Sequence, residues 1–215
     1  MMRRNLYGRR GSRLRGARRV TFDARRARYA VLSEAGAMSL PDGGLWLEVG
    51  FGAGEHLVAQ ALANPDLTLV GCEHYVDGVA SCLSKLEAQD VTNARIHHGD
   101  ARDLMDALPE ARVSRAFLLY PDPWPKAKHH KRRFVSPENL DSFARILSDG
   151  AHLRIASDIP DYIDWTRAHV GQHPAFAPVS DTLEPWDDWP GTRYEAKALR
   201  EGRTPAYLTY ERIAR

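Results

Sequence analysis

Cysteine is scarce in this chain: Cys72 and Cys82 are the only two. Two thiols cannot build a disulfide framework, and a separation of ten positions is not a zinc spacing. They read as reduced, space-filling groups on or beside a sheet. No run of eighteen apolar residues occurs, so no membrane-spanning helix is expected. No apolar segment follows the N-terminal arginines, so no secretory signal is expected, and Arg3-Arg4 and Arg9-Arg10 alone do not make a twin-arginine signal. The sequence also has no internal repeat. These absences leave a reduced, cytoplasmic, globular protein.

Acids are missing from residues 1–20, which hold eight arginines: Arg3, Arg4, Arg9, Arg10, Arg13, Arg15, Arg18 and Arg19. The whole chain has a formal charge of +2, so the other 22 basic residues face 28 acids and residues 21–215 sum to −6. A basic arm on a mildly acidic body fits an anionic partner such as RNA. A solubilising tail and an Arg-rich transit peptide have the same composition. The expected organisation is a flexible arm over 1–28 and one domain over 29–215. With 43% hydrophobic and 27% charged residues, that length is enough for a single core.

From residue 44 onward short apolar runs alternate with helical patterns. Strands are predicted at 44–50, 67–73, 94–98, 115–120, 151–157 and 206–212. Helices are predicted at 55–64, 76–89, 102–108, 137–147 and 161–170. Ser136 followed by Pro137 is an N-cap followed by a first-turn proline. The alternation predicts an α/β fold: a mostly parallel, doubly wound, Rossmann-like sheet with helices on both faces. Ligands of such sheets lie beyond the carboxyl ends of the strands.

Those ends carry the unusual residues. The first strand runs into Glu48-Val49-Gly50-Phe51-Gly52-Ala53-Gly54. Dinucleotide folds prefer G-x-G-x-x-G; here the spacing is G-x-G-x-G, and Glu55 takes the place of the third dinucleotide glycine. A carboxylate at Glu48 repels a pyrophosphate and favours a cation. S-adenosylmethionine has an ammonium, a sulfonium and no phosphate. Glu73 ends the second strand, where a carboxylate can accept from both ribose hydroxyls. Asp100 follows the third strand, where it can meet an adenine edge or simply cap the next helix. Three acids after three successive strands form one candidate cofactor site.

The fourth strand leads into Tyr120-Pro121-Asp122-Pro123-Trp124-Pro125-Lys126-Ala127-Lys128-His129-His130-Lys131-Arg132-Arg133. Prolines on both sides of Asp122 stiffen the loop. A stiff loop can hold one carboxylate and one aromatic against a flat base, and the basic tail can take phosphates.

This segment closely resembles the signature of the bacterial tRNA (guanine-N7)-methyltransferases, a family of class I methyltransferases. The similarity also covers LEVGFGAGEHL, GCEHYVDG, HGDA, the pair Ser157-Asp158, and Gly191-Thr192-Arg193-Tyr194-Glu195. The resemblance implies S-adenosylmethionine as cofactor, bound by Glu48, Gly50, Gly52, Glu73, Asp100 and Asp122. It makes Asp122 the catalytic residue as well. It implies that Lys126, Asp158, Thr192, Arg193, Tyr194 and Glu195 meet the guanine nucleotide. It turns Lys128, His129, His130, Lys131, Arg132 and Arg133 toward RNA. The implied acceptor is guanosine 46 in the variable loop of tRNA. No metal, no membrane and no obligate protein partner are implied, and a monomer or weak homodimer is expected. Two positions depart from the pattern: His74, where an apolar residue is usual, and Lys128, where arginine is commoner.

The chemistry asks little of a base. Guanine N7 already presents its lone pair, so the expected work is alignment, with Asp122 stabilising the charge that grows on the ring. Asp158 or Glu195 is expected to accept from N1–H and the exocyclic amine, which excludes adenine. Trp124 and Tyr194 are candidate stacking surfaces, while Trp186 and Trp189 are expected to pack. Two other classes remain in view. A nicotinamide oxidoreductase calls for a different glycine spacing, and a non-catalytic RNA-binding module has no use for the three strand-end acids.

Overall fold

The computed structural model describes residues 15–32, 38 and 40–214. Arg3, Arg4, Arg9, Arg10 and Arg13 of the expected arm lie outside the described residues. The rest of the arm's composition does not prevent order: Gly16–Tyr29 forms helix α1. Phe22 and Tyr29, seven residues apart and so on one helical face, are buried at 5% and 2% exposure. Phe22 meets His98 edge-on at 5.6 Å. Arg25 pairs with Glu87 at 2.6 Å and donates to Ser84 at 3.0 Å. Burying two aromatics contributes roughly 1.5–3 kcal/mol each, which outweighs the poor helix entropy of a charged segment.

Seven strands and six further helices follow. They are β1 (Leu45–Val49), α2 (Glu55–Ala63), β2 (Thr68–Glu73), α3 (Val76–Ala88), β3 (Ala94–His98), α4 (Ala101–Ala107) and β4 (Val113–Leu119). Then come a short 3-10 segment (Ala127–Arg132), α5 (Pro137–Ile146), β5 (Leu147–Ser157), α6 (Pro160–Gly171), β6 (Phe176–Thr182), α7 (Arg193–Arg200) and β7 (Ala206–Arg212). The strands form one sheet in the order β3-β2-β1-β4-β5-β7-β6. The first five are parallel; β7 runs antiparallel to both β5 and β6.

Both faces of the sheet are covered, so the central strands read as continuous apolar runs. Leu45, Leu47 and Val49 of β1 join α4, α5 and α6 on one face, while Trp46 joins α1, α2 and α3 on the other. Over β4, β5 and β7 on that second face there is no helix. The segment 183–192 fills the gap, with Trp186 and Trp189 packed on Tyr207 at 5.2 and 5.7 Å. Trp186 Nε1 donates to Thr209 Oγ1 at 2.9 Å, so its ring is part of the packing, as expected.

Ser136 caps α5 by accepting from the Asn139 amide, with Pro137 in the first turn, as its sequence predicts. Three elements leave little trace in the hydrophobic pattern. β6 contains Pro178 at a bulge and buries only Phe176, so no alternation marks it. α7 buries only Ala198. Its visible signal is the capping box Thr192-x-x-Glu195, whose two reciprocal bonds are both formed. The 3-10 segment buries no side chain at all.

Candidate active site

The strand order reverses between β1 and β4, and the crevice opens beyond their carboxyl ends. A cleft of about 1110 Å³ lies there. Around it gather Gly50, Gly52, Glu73, Asp100 and Asp122 with His130, Lys131, Arg132, Arg133, Arg193 and Tyr194. Residues from five separate stretches of sequence thus share one cavity.

The glycine loop lies between β1 and α2. Gly50, Gly52 and Gly54 have φ of +76°, +57° and +80°, a region that other residues enter only with strain. A side chain at Gly50 would meet nothing within 4 Å, so open space lies against bare backbone there. At Gly78, by contrast, a Cβ would sit 2.4 Å from the Gly52 carbonyl oxygen, so only glycine lets α3 approach the loop. Lys85 braces the loop's far end, donating to Ala53 O and to Glu55 Oε1 at 2.7 Å each. Burial raises the Glu55 carboxyl, but the bond from Lys85 outweighs it and the net shift is downward.

Glu73 ties the loop to β2. Its Oε2 accepts from Gly52 N at 3.0 Å, and its Oε1 from His74 N and Tyr75 N at 2.8 Å each. Asp100 is in fact the N-cap of α4, accepting from Arg102 N, and the Arg102 guanidinium closes on both its oxygens. Asp100 lines the cleft while capping, so its two sequence readings are compatible. Arg102 is a cleft residue that sequence reasoning passes over; its only signal is an arginine two places after an N-cap.

Glu48 stands elsewhere. It is 3% exposed, outside the cleft lining, and its Oε2 meets His56 Nδ1 of α2 at 2.8 Å. Its carboxylate faces the helix that follows the glycine loop rather than the cavity, because side chains alternate along β1.

The proline loop carries strain at both ends: Tyr120 and Trp124 have φ of +49° and +42° without being glycine. Between them Asp122 is exposed at the cleft. Arg132 lies over the Trp124 ring at 4.9 Å and His129 meets its edge at 5.9 Å. Burial, then the charges of Arg132, Lys128, Lys126 and Lys131, push the His129 imidazole below its ordinary value. Neutral His129 leaves the lysines and arginines as the phosphate-binding charge.

Arg133 corrects the sequence expectation that it faces RNA. It is 2% exposed. Its Nε donates to Pro123 O at 2.9 Å, its fork reaches Asp161, and it lies over the Trp165 ring at 4.8 Å. It locks the proline loop to α6. Arg133→Met is expected to cost about 2 kcal/mol, a fall of roughly 4–8 °C in Tm, and to leave the salt dependence of RNA binding unchanged. Lys131→Met should keep the Tm and lower the slope of log affinity against log salt by about 0.7–0.9. Filter binding over a salt series checks both. A flattened slope in Arg133→Met alone would return that residue to the RNA surface.

The residues from 158 and 192–195 divide. Arg193 and Tyr194 reach the cleft, within 3.5 and 3.4 Å of where a Gly52 Cβ would stand. Lys126, Lys128, His129, Asp158, Thr192 and Glu195 do not line it. Asp158 accepts from Arg203 Nε at 2.5 Å on its Oδ2. Glu195 is fully engaged: Trp189 Nε1 donates to both its oxygens at 2.9 Å, Thr192 N to Oε2, and the Tyr207 hydroxyl to Oε1. Burial holds the Tyr207 phenol far above its usual range, and the Glu195 carboxylate adds to that. Both cysteines are buried, which pushes their thiols far up and leaves them unreactive.

A seven-stranded sheet with an antiparallel β7 inserted before β6, and a glycine-rich cleft flanked by strand-end acids, define a class I methyltransferase. Solved structures share the fold. A 16S rRNA methyltransferase, KamB, aligns over 95% of this chain and 98% of its own at TM-score 0.61 and 18% identity. A single-residue mutant of the 16S rRNA (adenine(1408)-N(1))-methyltransferase of Catenulisporales acidiphilia, solved with its cosubstrate SAM, aligns over 95% of each chain at TM-score 0.57 and 15% identity. Residues 42–208 match a family described as "Putative methyltransferase". The tRNA (guanine-N(7)-)-methyltransferase of Ruegeria sp. (strain TM1040) is 58% identical over 171 residues, 78% of this chain and 67% of that protein. That of Paracoccus denitrificans is 54% identical over 168 residues, 78% and 72%. The chain belongs to the tRNA (guanine-N(7)-)-methyltransferase family.

Proposed function

We propose that this protein transfers the methyl group of S-adenosylmethionine to N7 of guanosine 46 in the variable loop of tRNA. One observation carries the reading. Asp122 stands on a strained, proline-fixed loop between the glycine-lined part of the cleft and the basic residues 126–132.

The cofactor fits the residues present. Bare backbone at Gly50 and Gly52 admits close approach, and the carboxylates at Glu73 and Asp100 suit hydroxyls, an amine or a cation and would repel a pyrophosphate. Glu73 already accepts three backbone donors and keeps the lone-pair capacity to accept from a ribose. Glu48 acts from behind, through His56. Bound there, S-adenosylmethionine supplies a methyl group activated by its positive sulfur.

The protein's own share is placement and charge. Asp122 faces the position of the acceptor ring and stabilises the positive charge that grows there as N7 bonds to carbon. N7 carries no proton, so Asp122 need not act as a base. Tyr194 and Trp124 offer faces for the ring, and Arg193 with residues 126–132 offers charge for the adjoining phosphates. Asp158 is the better reader of the guanine edge: its Oδ1 takes no donor among the described residues, whereas both Glu195 oxygens are taken. Lys126, Thr192 and Glu195 frame the nucleotide without lining the cleft.

The partner implied is tRNA, with no second protein required, a monomer or weak homodimer, and a cytoplasmic place of work. No helix among the described residues is long and apolar enough to cross a membrane. Tritiated methyl transfer to unmodified tRNA, followed by borohydride–aniline cleavage, tests the assignment. One cut at the variable-loop guanosine is expected. Methyl incorporation without a cut would move the acceptor to another atom.

A further inference from the structure

Glu195 and Trp189 make a buried joint that the transfer chemistry above does not use. The Trp189 N–H is equidistant, at 2.9 Å, from the two carboxylate oxygens. That bifurcated position is the one a guanine edge would need for its two parallel donors. The Tyr207 hydroxyl and the Thr192 amide occupy further lone pairs. Reading a base with Glu195 would mean unpairing an indole N–H packed among His56, Trp186 and Tyr207, at 5.2, 5.5 and 5.7 Å between rings.

The joint has a fixed reference at its other end. His56 is 2% exposed, packs against Phe117 at 4.6 Å and is held by Glu48, two residues before Gly50. Gln60, one turn along α2, donates to Asp188 O at 2.8 Å and so fixes the backbone just before Trp189. Beyond Glu195, the capping box sets the first turn of α7, and that turn presents Arg193 and Tyr194 to Gly52. The strand that starts the glycine loop and the helix edge that faces it are therefore located from one buried point.

We infer that Glu195 and Trp189 are positioning residues: together they hold the Arg193–Tyr194 edge of α7 at a fixed place over the glycine loop, and Glu195 does not read the base. The inference rests on the methyltransferase reading only for its kinetic arm.

Three measurements test it on the full chain. The first is hydrogen exchange of the α7 amides, residues 193–200, which needs no acceptor. Trp189→Phe keeps the ring and removes the N–H; Glu195→Gln keeps the shape and weakens the acceptor. Each is expected to speed exchange about tenfold, the loss of one bond to a charged group. Unchanged exchange in both would overturn the inference. The second is turnover on tRNA transcripts with guanosine or inosine at the methylated position. Inosine keeps N7 and lacks the exocyclic amine. Both variants should lower kcat about tenfold on both transcripts, with KM for tRNA within about threefold and the guanosine-to-inosine ratio unchanged. The double variant should lose little more than the worse single one, since both break one joint. A ratio that collapses toward one in Glu195→Gln, and not in Trp189→Phe, would make Glu195 the edge reader. The third is calorimetric titration with S-adenosylhomocysteine; one site per chain in every variant separates misplacement from unfolding. If the unaltered protein methylates no guanosine, the functional reading fails, and the exchange result still decides the joint.

Discussion

Asp122→Asn is expected to lower kcat by about 100- to 1,000-fold, while the protein folds and binds S-adenosylhomocysteine within roughly tenfold of its usual affinity. The amide has nearly the same shape as the carboxylate and can still accept a hydrogen bond. What it lacks is the charge. Positive charge appears on guanine only as the new bond forms, so a fixed negative group acts on the transition state more than on the bound substrate. The loop favours this division of labour. Strained φ values at Tyr120 and Trp124, and the Arg133 tie to Pro123 O, hold the carboxylate where it is before substrate arrives. Single-turnover kinetics at saturating tRNA and cofactor would measure the effect directly. A variant retaining more than about a third of the rate would show that shape, not charge, is what Asp122 contributes.

Glu73→Ala should show the other large effect, and on cofactor affinity. The substitution removes the acceptor for Gly52 N, His74 N and Tyr75 N at once. Each amide left without a partner costs about 1–3 kcal/mol where water cannot replace the bond. Water can enter the space of the missing side chain, so the net loss of stability should be about 2–4 kcal/mol. The same change removes the carboxylate that a ribose would use. Two bonds to a charged acceptor are worth roughly 3–6 kcal/mol together, so affinity for S-adenosylhomocysteine should fall more than about 100-fold. Glu73→Gln keeps one acceptor oxygen and should fall about tenfold. Calorimetry on the folded variants decides the matter: unchanged affinity in Glu73→Ala would place the ribose elsewhere.

These two residues were legible because they sit where fold and chemistry coincide. Apolar runs alternating with helical patterns give β1 to β5 and α2 to α6 within a few residues, since both periods are local properties of the chain. Acids directly after strands must lie at the crevice of a parallel sheet. Arg133 was not legible in this way. It ends a basic run, and its burial depends on Trp165 and Asp161, some thirty residues on in sequence. Glu48 was half legible: its position on β1 follows from the pattern, but the face it takes depends on His56 arriving from α2.

The sequence alone therefore determined the strand and helix order of the central sheet, the glycine loop, the acids beyond β2, β3 and β4, and the stiffness of the proline loop. Those depend on residue type and short-range spacing. Only the tertiary structure decided which polar groups are spent inside the protein. It turned Glu195 into a buried acceptor for Trp189 and Tyr207, closed Arg102 on Asp100, and built β6 and α7 from segments with almost no apolar pattern. The physical reason is the same in each case. A carboxylate or guanidinium takes the partners that packing brings to it, and those partners come from distant stretches of sequence that no local pattern connects.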